Sequence, residues 1–315
     1  MNLPAPILDL LREDTALPPH SDQRVTTGAA APLVSGATLP ESAAVELVEW
    51  MYRHEQAHGA IADWLDFLRR TRARFARVVE QMGQWNAASS HSLGHDKWSV
   101  GWGGDALLPH ANALYALKSY GVNGRVLECG AFKGSSTACL SLVCAELGYQ
   151  LDCADSFEGL PSEEGHYNKG DFLGTLDEVR DNVTRFGDIN CVHFIEGWYA
   201  DSLKNYQEPV ALLWLDVDLQ ESTRDVLQNV FPRLTDGAVI LSDGFSKGVD
   251  FIGKKVAQTG GEPAGFYKYF TENKVPYLAC PGGSKGLAQI AVLPEVEGRS
   301  FLLPDSFLEL LIERL

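Results

Sequence analysis

The chain reads RVLECGAFKGSS at residues 125–136, and this stretch decides the fold. A short apolar run at residues 125–129 is followed by Gly130 and Gly134, and then by a helical pattern at residues 136–147. This order predicts a strand, a tight turn and a helix. Further short apolar runs alternate with helical segments downstream, which predicts a mostly parallel sheet with helices on both faces.

The hydrophobic pattern predicts six more strands and the helices between them. The strands are expected at residues 151–154, 191–195, 210–215, 238–241, 276–280 and 287–293. The helices are expected at residues 105–120, 136–147, 176–186, 222–234, 249–259 and 265–273. Thr175 and Glu178 form a capping box, and Asp105 is the expected N-cap of its helix. The result is an α/β fold with seven strands.

The first third of the chain has a different character. Residues 1–40 are rich in Pro and Ala without a sustained period, so we expect a flexible arm. Residues 41–104 are predicted to form a helical extension that ends in a Trp- and Gly-rich loop at residues 85–104. Residues 105–315 then form the domain that contains the sheet. The apolar helices and the arm favour a homodimer or a higher homo-oligomer.

The composition excludes some classes of partner. The 315 residues carry 26 Lys and Arg against 42 Asp and Glu, for a formal net charge of −16. Nucleic acid and anionic membranes demand a basic surface, so neither is expected as a partner. No apolar run approaches the roughly 20 residues that span a bilayer, and we expect no signal peptide. Six cysteines without a C-x-x-C pair predict buried thiols in a reducing cytoplasm.

The loop after the first strand favours an adenosine cofactor. Gly134 is followed by Ser135 rather than by the lysine of a P-loop, and the G-x-G-x-x-G pattern of dinucleotide folds is absent. The remaining pattern is E-x-G-x-x-x-G, which begins at Glu128 and is typical of class I S-adenosylmethionine (SAM) methyltransferases. The alternative interpretation of this stretch is an ordinary strand-to-helix turn. Asp155 ends the second strand, where a carboxylate can accept hydrogen bonds from ribose hydroxyls.

Carboxylates also follow the fourth and fifth strands. Asp216 and Asp218 come after the fourth strand, and Asp243 follows the fifth. Because neighbouring parallel strands end at one edge, Asp216 and Asp243 can converge on a hard cation such as Mg²⁺. The alternative is that one carboxylate caps a helix while another pairs with a basic side chain.

Several motifs resemble the macrocin-type sugar O-methyltransferases of macrolide and aminocoumarin biosynthesis. They occur in the family's order over roughly residues 105–293, and they are DSFEGLP at 155–161, GDFLG at 170–174, FIEGW at 194–198, LDVDLQEST at 215–223 and FPRLTDG at 231–237. The resemblance implies a Rossmann-like class I methyltransferase sheet that binds SAM. It also implies methyl transfer to a hydroxyl of a small natural product.

The resemblance assigns roles to individual residues. The candidate cofactor-binding residues are Glu128, Gly130, Gly134 and Ser135 at the methionine end, Asp155, Ser156 and Phe157 around the ribose and adenine, and Trp198 near the adenine. Asp216 would be a metal ligand and Asp218 the general base, so these two are the candidate catalytic residues. Residues 165–175 would form part of a mobile lid.

One position departs from the family pattern. The family usually ends the fifth strand with two adjacent aspartates, whereas this chain has Ser242 before Asp243. One carboxylate ligand is missing, so metal-dependent and metal-independent transfer both stay open. A SAM-fold protein that has lost methyl transfer, and serves as a binding module or catalyses another reaction, is the alternative function. An NAD-dependent oxidoreductase is disfavoured by the glycine spacing.

Overall fold

The computed structural model describes residues 59–88, 104–245, 260–275, 277–281 and 286–292. Its strands are β1 Arg125–Cys129, β2 Leu151–Asp155, β3 Val192–Glu196, β4 Val210–Leu215, β5 Leu234–Phe245, β6 Tyr277–Pro281 and β7 Gly286–Val292. All seven belong to one sheet, in the order β3-β2-β1-β4-β5-β7-β6. The α-helices are α1 Gly59–Ala88, α2 Leu108–Ser119, α3 Ser135–Leu147, α4 Leu176–Phe186, α5 Tyr199–Ser202, α6 Gln220–Val230 and α7 Gly261–Glu272.

Strands β1 to β5 are parallel, and β7 runs antiparallel to its neighbours β5 and β6. The register brings the ends of the central strands level, because Cys129 pairs with Ala154 on β2 and with Leu215 on β4. Leu215 in turn pairs with Ser242 on β5. The residues that follow these strands therefore meet at one edge of the sheet, where ligands bind in open α/β folds.

Each face of the sheet has its own apolar core because strand residues alternate between the faces. One core joins α1, α2, α3 and α4 to side chains such as Trp214. The other joins α6 and α7 to side chains such as Leu213. The α1 helix shares the first core, where the Trp64 indole N–H donates to the Asn112 side-chain oxygen at 2.9 Å. The described part of the N-terminal extension thus packs directly on the sheet domain.

Most predicted elements are present, and the differences lie at their ends. The first and fourth strands match their predicted bounds, and α4 has Thr175 as its N-cap, accepting from the Glu178 amide at 3.3 Å. Strand β5 is much longer than residues 238–241, because Leu234 pairs with Val210 on β4 at one end and Phe245 pairs with Gly286 on β7 at the other. The predicted helix at 249–259 and residues 1–40 lie outside the described residues.

Three sequence predictions about boundaries were wrong. Asp105 is not an N-cap; it lies in a 3₁₀ turn before α2 and forms a salt bridge with Arg72 of α1 at 2.8 Å. The sequence predicts a loop from residue 85, but α1 continues to Ala88, and residues 89–103 lie outside the described residues. Helix α7 begins at Gly261 rather than at residue 265, with Pro263 in its first turn. Within the described residues, no helix combines the length and the apolar character needed to cross a bilayer.

His110 is a buried base inside the first core. Its ring lies edge-on to Trp214 at 4.2 Å between centroids, and within the described residues neither ring nitrogen has a hydrogen-bond partner. Burial lowers the pKa of His110 to about 3. The imidazole is therefore neutral in the folded protein at neutral pH, and its protonation requires exposure.

We expect His110 to make the protein sensitive to acid. In the unfolded chain His110 binds a proton with its ordinary pKa of about 6.5. Below that pH the free energy of unfolding therefore falls by about 1.4 kcal/mol for each pH unit. The loss continues until the pH reaches the folded-state pKa of about 3. When the pH is lowered from 6.5 to 5, the free energy of unfolding measured in urea should fall by about 2 kcal/mol less for His110→Phe than for the wild type. Parallel pH profiles for the two proteins would contradict this assignment.

Candidate active site

A cavity of about 420 Å³ lies beyond the carboxyl ends of the central strands. This volume is within the usual range for small-molecule sites. Its walls come from the segments that follow β1, β2, β3 and β4 and from the end of β5. The lining residues include Gly130, Phe132, Asp155, Ser156, Phe172, Trp198, Asp216, Asp218 and Asp243. The residues that follow the central strands thus line a cavity large enough for a small ligand.

The loop after β1 is compressed against the neighbouring strand end. Gly130 has φ of 96°, and a Cβ atom at this position would overlap the carbonyl oxygen of Asp216. The Asp216 amide donates to the Cys129 carbonyl at 3.0 Å, which holds the two strand ends together. Gly174 is equally constrained, since its Cβ would overlap the Phe132 carbonyl. Both glycines are therefore required by close backbone approach rather than by turn preference alone.

Asp155 connects this loop to the segment after β2. Its carboxylate accepts hydrogen bonds from the Ala131 amide and from the Phe157 amide, both at 2.7 Å. Burial raises the pKa of Asp155, and these hydrogen bonds oppose the shift. The carboxylate thus holds two walls of the cavity in place, a structural role beyond the predicted contact with ribose. Its role toward ribose stays a prediction.

The structure divides the eight candidate cofactor-binding residues into two groups. Four of them line the cavity, and these are Gly130, Asp155, Ser156 and Trp198. The other four are packed close to the same loops: Glu128, Gly134, Ser135 and Phe157. Glu128 accepts a hydrogen bond from the Ser136 hydroxyl, and burial raises its pKa to about 7. The Phe157 ring packs against Phe194.

Three carboxylates meet on the other side of the cavity. Oxygen atoms of Asp216, Asp243 and Glu262 all lie within 4.8 Å of one another. Burial and then the charges of Asp243, Asp218 and Glu262 raise the pKa of Asp216 well above its usual value. The sequence predicted the convergence of Asp216 and Asp243 but did not indicate Glu262. The glutamate precedes Pro263, and a Pro at the start of a helix was the signal that could have placed it.

Glu262 is held by donors from two strand ends. One carboxylate oxygen accepts from the Val217 amide at 2.6 Å and from the Asp218 amide at 3.2 Å. The other accepts from the Ser242 hydroxyl and, at 3.3 Å, from the Gly244 amide. Burial and the nearby Asp243 raise the pKa of Glu262 to about 8, against the effect of the Ser242 hydrogen bond.

The candidate base Asp218 faces the cavity from a left-handed backbone conformation with φ of 60°. Burial raises its pKa, while a hydrogen bond from the Tyr167 hydroxyl lowers it. Such backbone strain occurs most often at functional sites. Tyr167 belongs to the predicted lid, so the lid contacts the candidate base directly.

The predicted lid covers the cavity with an aromatic wall. Phe172 lines the cavity and packs on Phe132 at 5.8 Å and on Tyr167 at 6.0 Å between ring centroids. Glu164 fastens this segment by accepting from the Gln220 amide at 3.0 Å and from the Gly261 amide at 2.6 Å. These are the first residues of α6 and α7, where free amides and the helix dipole favour a carboxylate. Mobility of the lid stays a prediction.

The sheet order, with a cavity beyond β1, β2 and β4, defines a class I methyltransferase fold. The solved structure of the O-methyltransferase NovP is similar, with a TM-score of 0.51 and 18% sequence identity over 69% of this chain and 98% of that chain. The model of the macrocin-O-methyltransferase (TylF) family matches residues 47–252, and the chain belongs to this family.

Two curated relatives are similar over part of the chain. One is an enzyme of Streptomyces olivaceus that is 32% identical over 142 residues, which cover 40% of this chain and 54% of the relative. Its name is 8-demethyl-8-(2,3-dimethoxy-alpha-L-rhamnosyl)-tetracenomycin-C 4'-O-methyltransferase. The mycinamicin III 3''-O-methyltransferase of Micromonospora griseorubida is 31% identical over 145 residues, 40% of this chain and 56% of the relative. The chain therefore spans about half the length of the curated relatives it matches.

We expect substitution at Gly130 to disrupt the site. Gly130→Ala places a methyl group on the Asp216 carbonyl, which cannot move without separating β1 from β4, so unfolding free energy should fall by about 3 kcal/mol or more. Gly165→Ala is the control, because Gly165 also has positive φ but open space around it. That change should cost only the backbone strain, about 1 kcal/mol. Equal losses in urea unfolding would show that the close approach at Gly130 is unimportant.

Proposed function

We propose that this protein is a SAM-dependent O-methyltransferase that methylates a hydroxyl group of a sugar or of a glycosylated natural product. Membership of the macrocin-O-methyltransferase family supports the reaction. The two curated relatives are named as O-methyltransferases of a rhamnosyl-tetracenomycin and of mycinamicin III, which supports the acceptor class. By the same argument we place the protein in secondary-metabolite or antibiotic biosynthesis. We propose a cytoplasmic location from the cysteines, because five of the six are buried free thiols.

The charge of the cavity is the observation that carries the proposal. Its lining includes the carboxylates of Asp155, Asp216, Asp218 and Asp243, and within the described residues no lysine or arginine lines it. SAM carries a positive sulfonium and an amino group and has no phosphate, so it suits an acidic cavity. A dinucleotide cofactor would bring phosphates, which require backbone amides at a helix N-terminus or basic side chains. The acidic lining therefore favours SAM over NAD.

The chain offers groups for each part of the cofactor. Asp155 and Ser156 would face the ribose, and Trp198 would pack against the adenine. Gly130 leaves space for the methionine end, while Glu128 and Gly134 shape its loop from below. Bound SAM supplies the methyl group that is transferred to the acceptor oxygen, which leaves S-adenosylhomocysteine. The protein has to align the acceptor and remove its hydroxyl proton.

Asp218 is the group that we assign to proton removal. It faces the cavity, and the Tyr167 hydroxyl and its own left-handed backbone fix its direction. Asp216 and Asp243 would hold a divalent cation such as Mg²⁺, since carboxylate oxygens are its preferred protein ligands. Such a cation would acidify and orient the acceptor hydroxyl. Phe172 and Phe132 offer an aromatic wall on which the acceptor can pack.

The alternative of a SAM-fold binding module loses the observation that motivated it. That alternative rested on the missing aspartate at position 242, yet three carboxylates still meet there because Glu262 joins Asp216 and Asp243. We further propose a homodimer or higher homo-oligomer, on the strength of the Pro- and Ala-rich arm at residues 1–40 and the apolar positions of residues 41–58; the apolar face of α1 is buried within its own chain and adds no support. Nucleic acid and membranes are not proposed as partners, given the net charge of −16.

We expect the purified protein to bind S-adenosylhomocysteine with micromolar-class affinity, about −8 kcal/mol, in isothermal titration calorimetry. Asp155→Asn should weaken binding by about 10- to 100-fold, because a ribose hydroxyl loses a charged acceptor worth roughly 1.5–3 kcal/mol. Thermal unfolding of the variant without ligand serves as the control for loss of the wall contacts. Unchanged affinity in a folded Asp155→Asn protein would remove the ribose assignment.

We expect Asp218→Asn to lower turnover by about 10²- to 10⁴-fold, because an amide cannot accept the hydroxyl proton. The measurement is methyl transfer from SAM to a panel of glycosylated acceptors. The affinity for S-adenosylhomocysteine should stay within about twofold of the wild type, since Asp218 is assigned to the acceptor. A variant that retains full turnover would eliminate Asp218 as the base and leave the methyltransferase proposal intact.

A further inference from the structure

We propose that Glu262 takes the place of the second strand-five aspartate of this family, and that it completes a divalent-cation site with Asp216 and Asp243. The inference rests on the proposed function, because it concerns the cation that would act in methyl transfer. The family supplies its carboxylates from strand ends, whereas this chain would supply one of them from the first turn of α7.

The donor set fits a hard cation. Three carboxylate oxygens, one from each residue, lie within 4.8 Å of one another, and Mg²⁺ or Mn²⁺ prefers such oxygen ligands. Asp216 lines the cavity, and no hydrogen bond reaches its carboxylate from any residue of the described ranges, although carboxylate oxygens of Asp243 and Glu262 lie within 4.8 Å of it. A bound cation would compensate the negative charge of Asp216, which no side chain or amide in the described part of the chain does.

The residue at position 242 makes it possible for Glu262 to replace the second aspartate of strand five. Ser242 is fully buried, and its hydroxyl donates to a Glu262 oxygen, so the shorter side chain leaves room for the glutamate and also orients it. Gly244 contributes in the same way, since a Cβ there would lie 2.7 Å from the Glu262 Cβ. The small residues on either side of Asp243 therefore accommodate a carboxylate from another element.

The hydrogen bonds to Glu262 are compatible with metal binding. Carboxylate ligands of metals are usually hydrogen-bonded by a second layer of groups that fixes their direction. Here the Val217 and Asp218 amides hold one oxygen, and the Ser242 hydroxyl and Gly244 amide hold the other. From outside, Glu164 fixes the start of α7 through the Gly261 amide. The position of Glu262 is thus specified from both sides.

The test measures Mn²⁺ binding to the full-length protein by electron paramagnetic resonance, with no acceptor present. We expect the wild type to bind one equivalent. Glu262→Gln should weaken binding at least about tenfold, because one charged ligand is lost. Its amide oxygen can still accept from the Val217 and Asp218 amides, so the fold should persist. Glu272→Gln, an exposed glutamate at the other end of α7, is the matched control and should bind like the wild type.

Moving the carboxylate back provides the decisive comparison. The double variant Ser242→Asp/Glu262→Ala returns the charge to the strand end and removes the side chain that fills the space beside residue 242, so it should recover Mn²⁺ affinity to within about threefold of the wild type. Recovery would support the proposal. Binding of Mn²⁺ by Glu262→Gln at wild-type strength, or failure of the folded double variant to regain affinity, would overturn it.

Two further readouts separate the possible failures. Titration with S-adenosylhomocysteine is run on every variant, so intact cofactor binding without any Mn²⁺ binding in the wild type would overturn the cation site while the methyltransferase proposal stands. If Glu262→Gln does not fold, Glu262→Asp decides instead. Aspartate keeps the charge but is shorter by one methylene group, so Mn²⁺ binding should weaken at least about threefold if residue 262 is a ligand, and unchanged binding would refute the inference.

Discussion

Repulsion between like charges is the constraint on which the rest of the site depends. Four acidic side chains line one cavity, and Glu262 approaches from behind. Enclosed carboxylates of this kind are costly unless hydrogen bonds or cations compensate them. The chain places backbone amides for this purpose: Ala131 and Phe157 serve Asp155, while Val217 and Asp218 serve Glu262. An acidic pocket can therefore exist in the folded protein and select a positively charged ligand.

The backbone around the cavity also adopts unusual conformations. Phe132, Phe172 and Asp218 have positive φ although none is a glycine, and all three line the cavity. Conformations of this kind cost energy and persist only where surrounding contacts impose them. The contacts include the close packing of Gly130 against Asp216 and of Gly174 against Phe132. The same packing that compresses the loops directs their side chains into the site.

A single side chain couples the cover of the cavity to its acidic side. Glu164 belongs to the segment over the site, and its two oxygens accept from the first amides of α6 and α7. The helix that presents Glu262 and the helix that follows Asp218 are thereby fixed to the same cover. Because Tyr167 of this cover also donates to Asp218, the position of the lid and the geometry of the base are linked.

Local pattern was sufficient for the centre of the fold. The apolar run of β1, the glycines after it and the carboxylates after β2 and β4 could be placed from the sequence, because parallel strands end at a common edge. Boundaries that depend on distant partners could not be placed. Strand β5 is extended by pairing with β7, and Asp105 binds Arg72 instead of capping its own helix. Propensity and periodicity describe neighbours along the chain, so they are silent about such contacts.

By itself, the amino-acid sequence determined the sheet, the edge of the sheet at which the cavity lies, and the candidates Asp155, Asp216, Asp218 and Asp243. Only the tertiary structure decided that Glu262 lies beside Asp216 and Asp243. Its approach requires α7 to pack closely on α6, where Gly265 leaves room for Thr223, and it requires the space at Ser242 and Gly244. These are contacts between elements far apart in sequence. The physical reason is that a carboxylate carried by a helix reaches a site only through the packing of that helix, which no local pattern records.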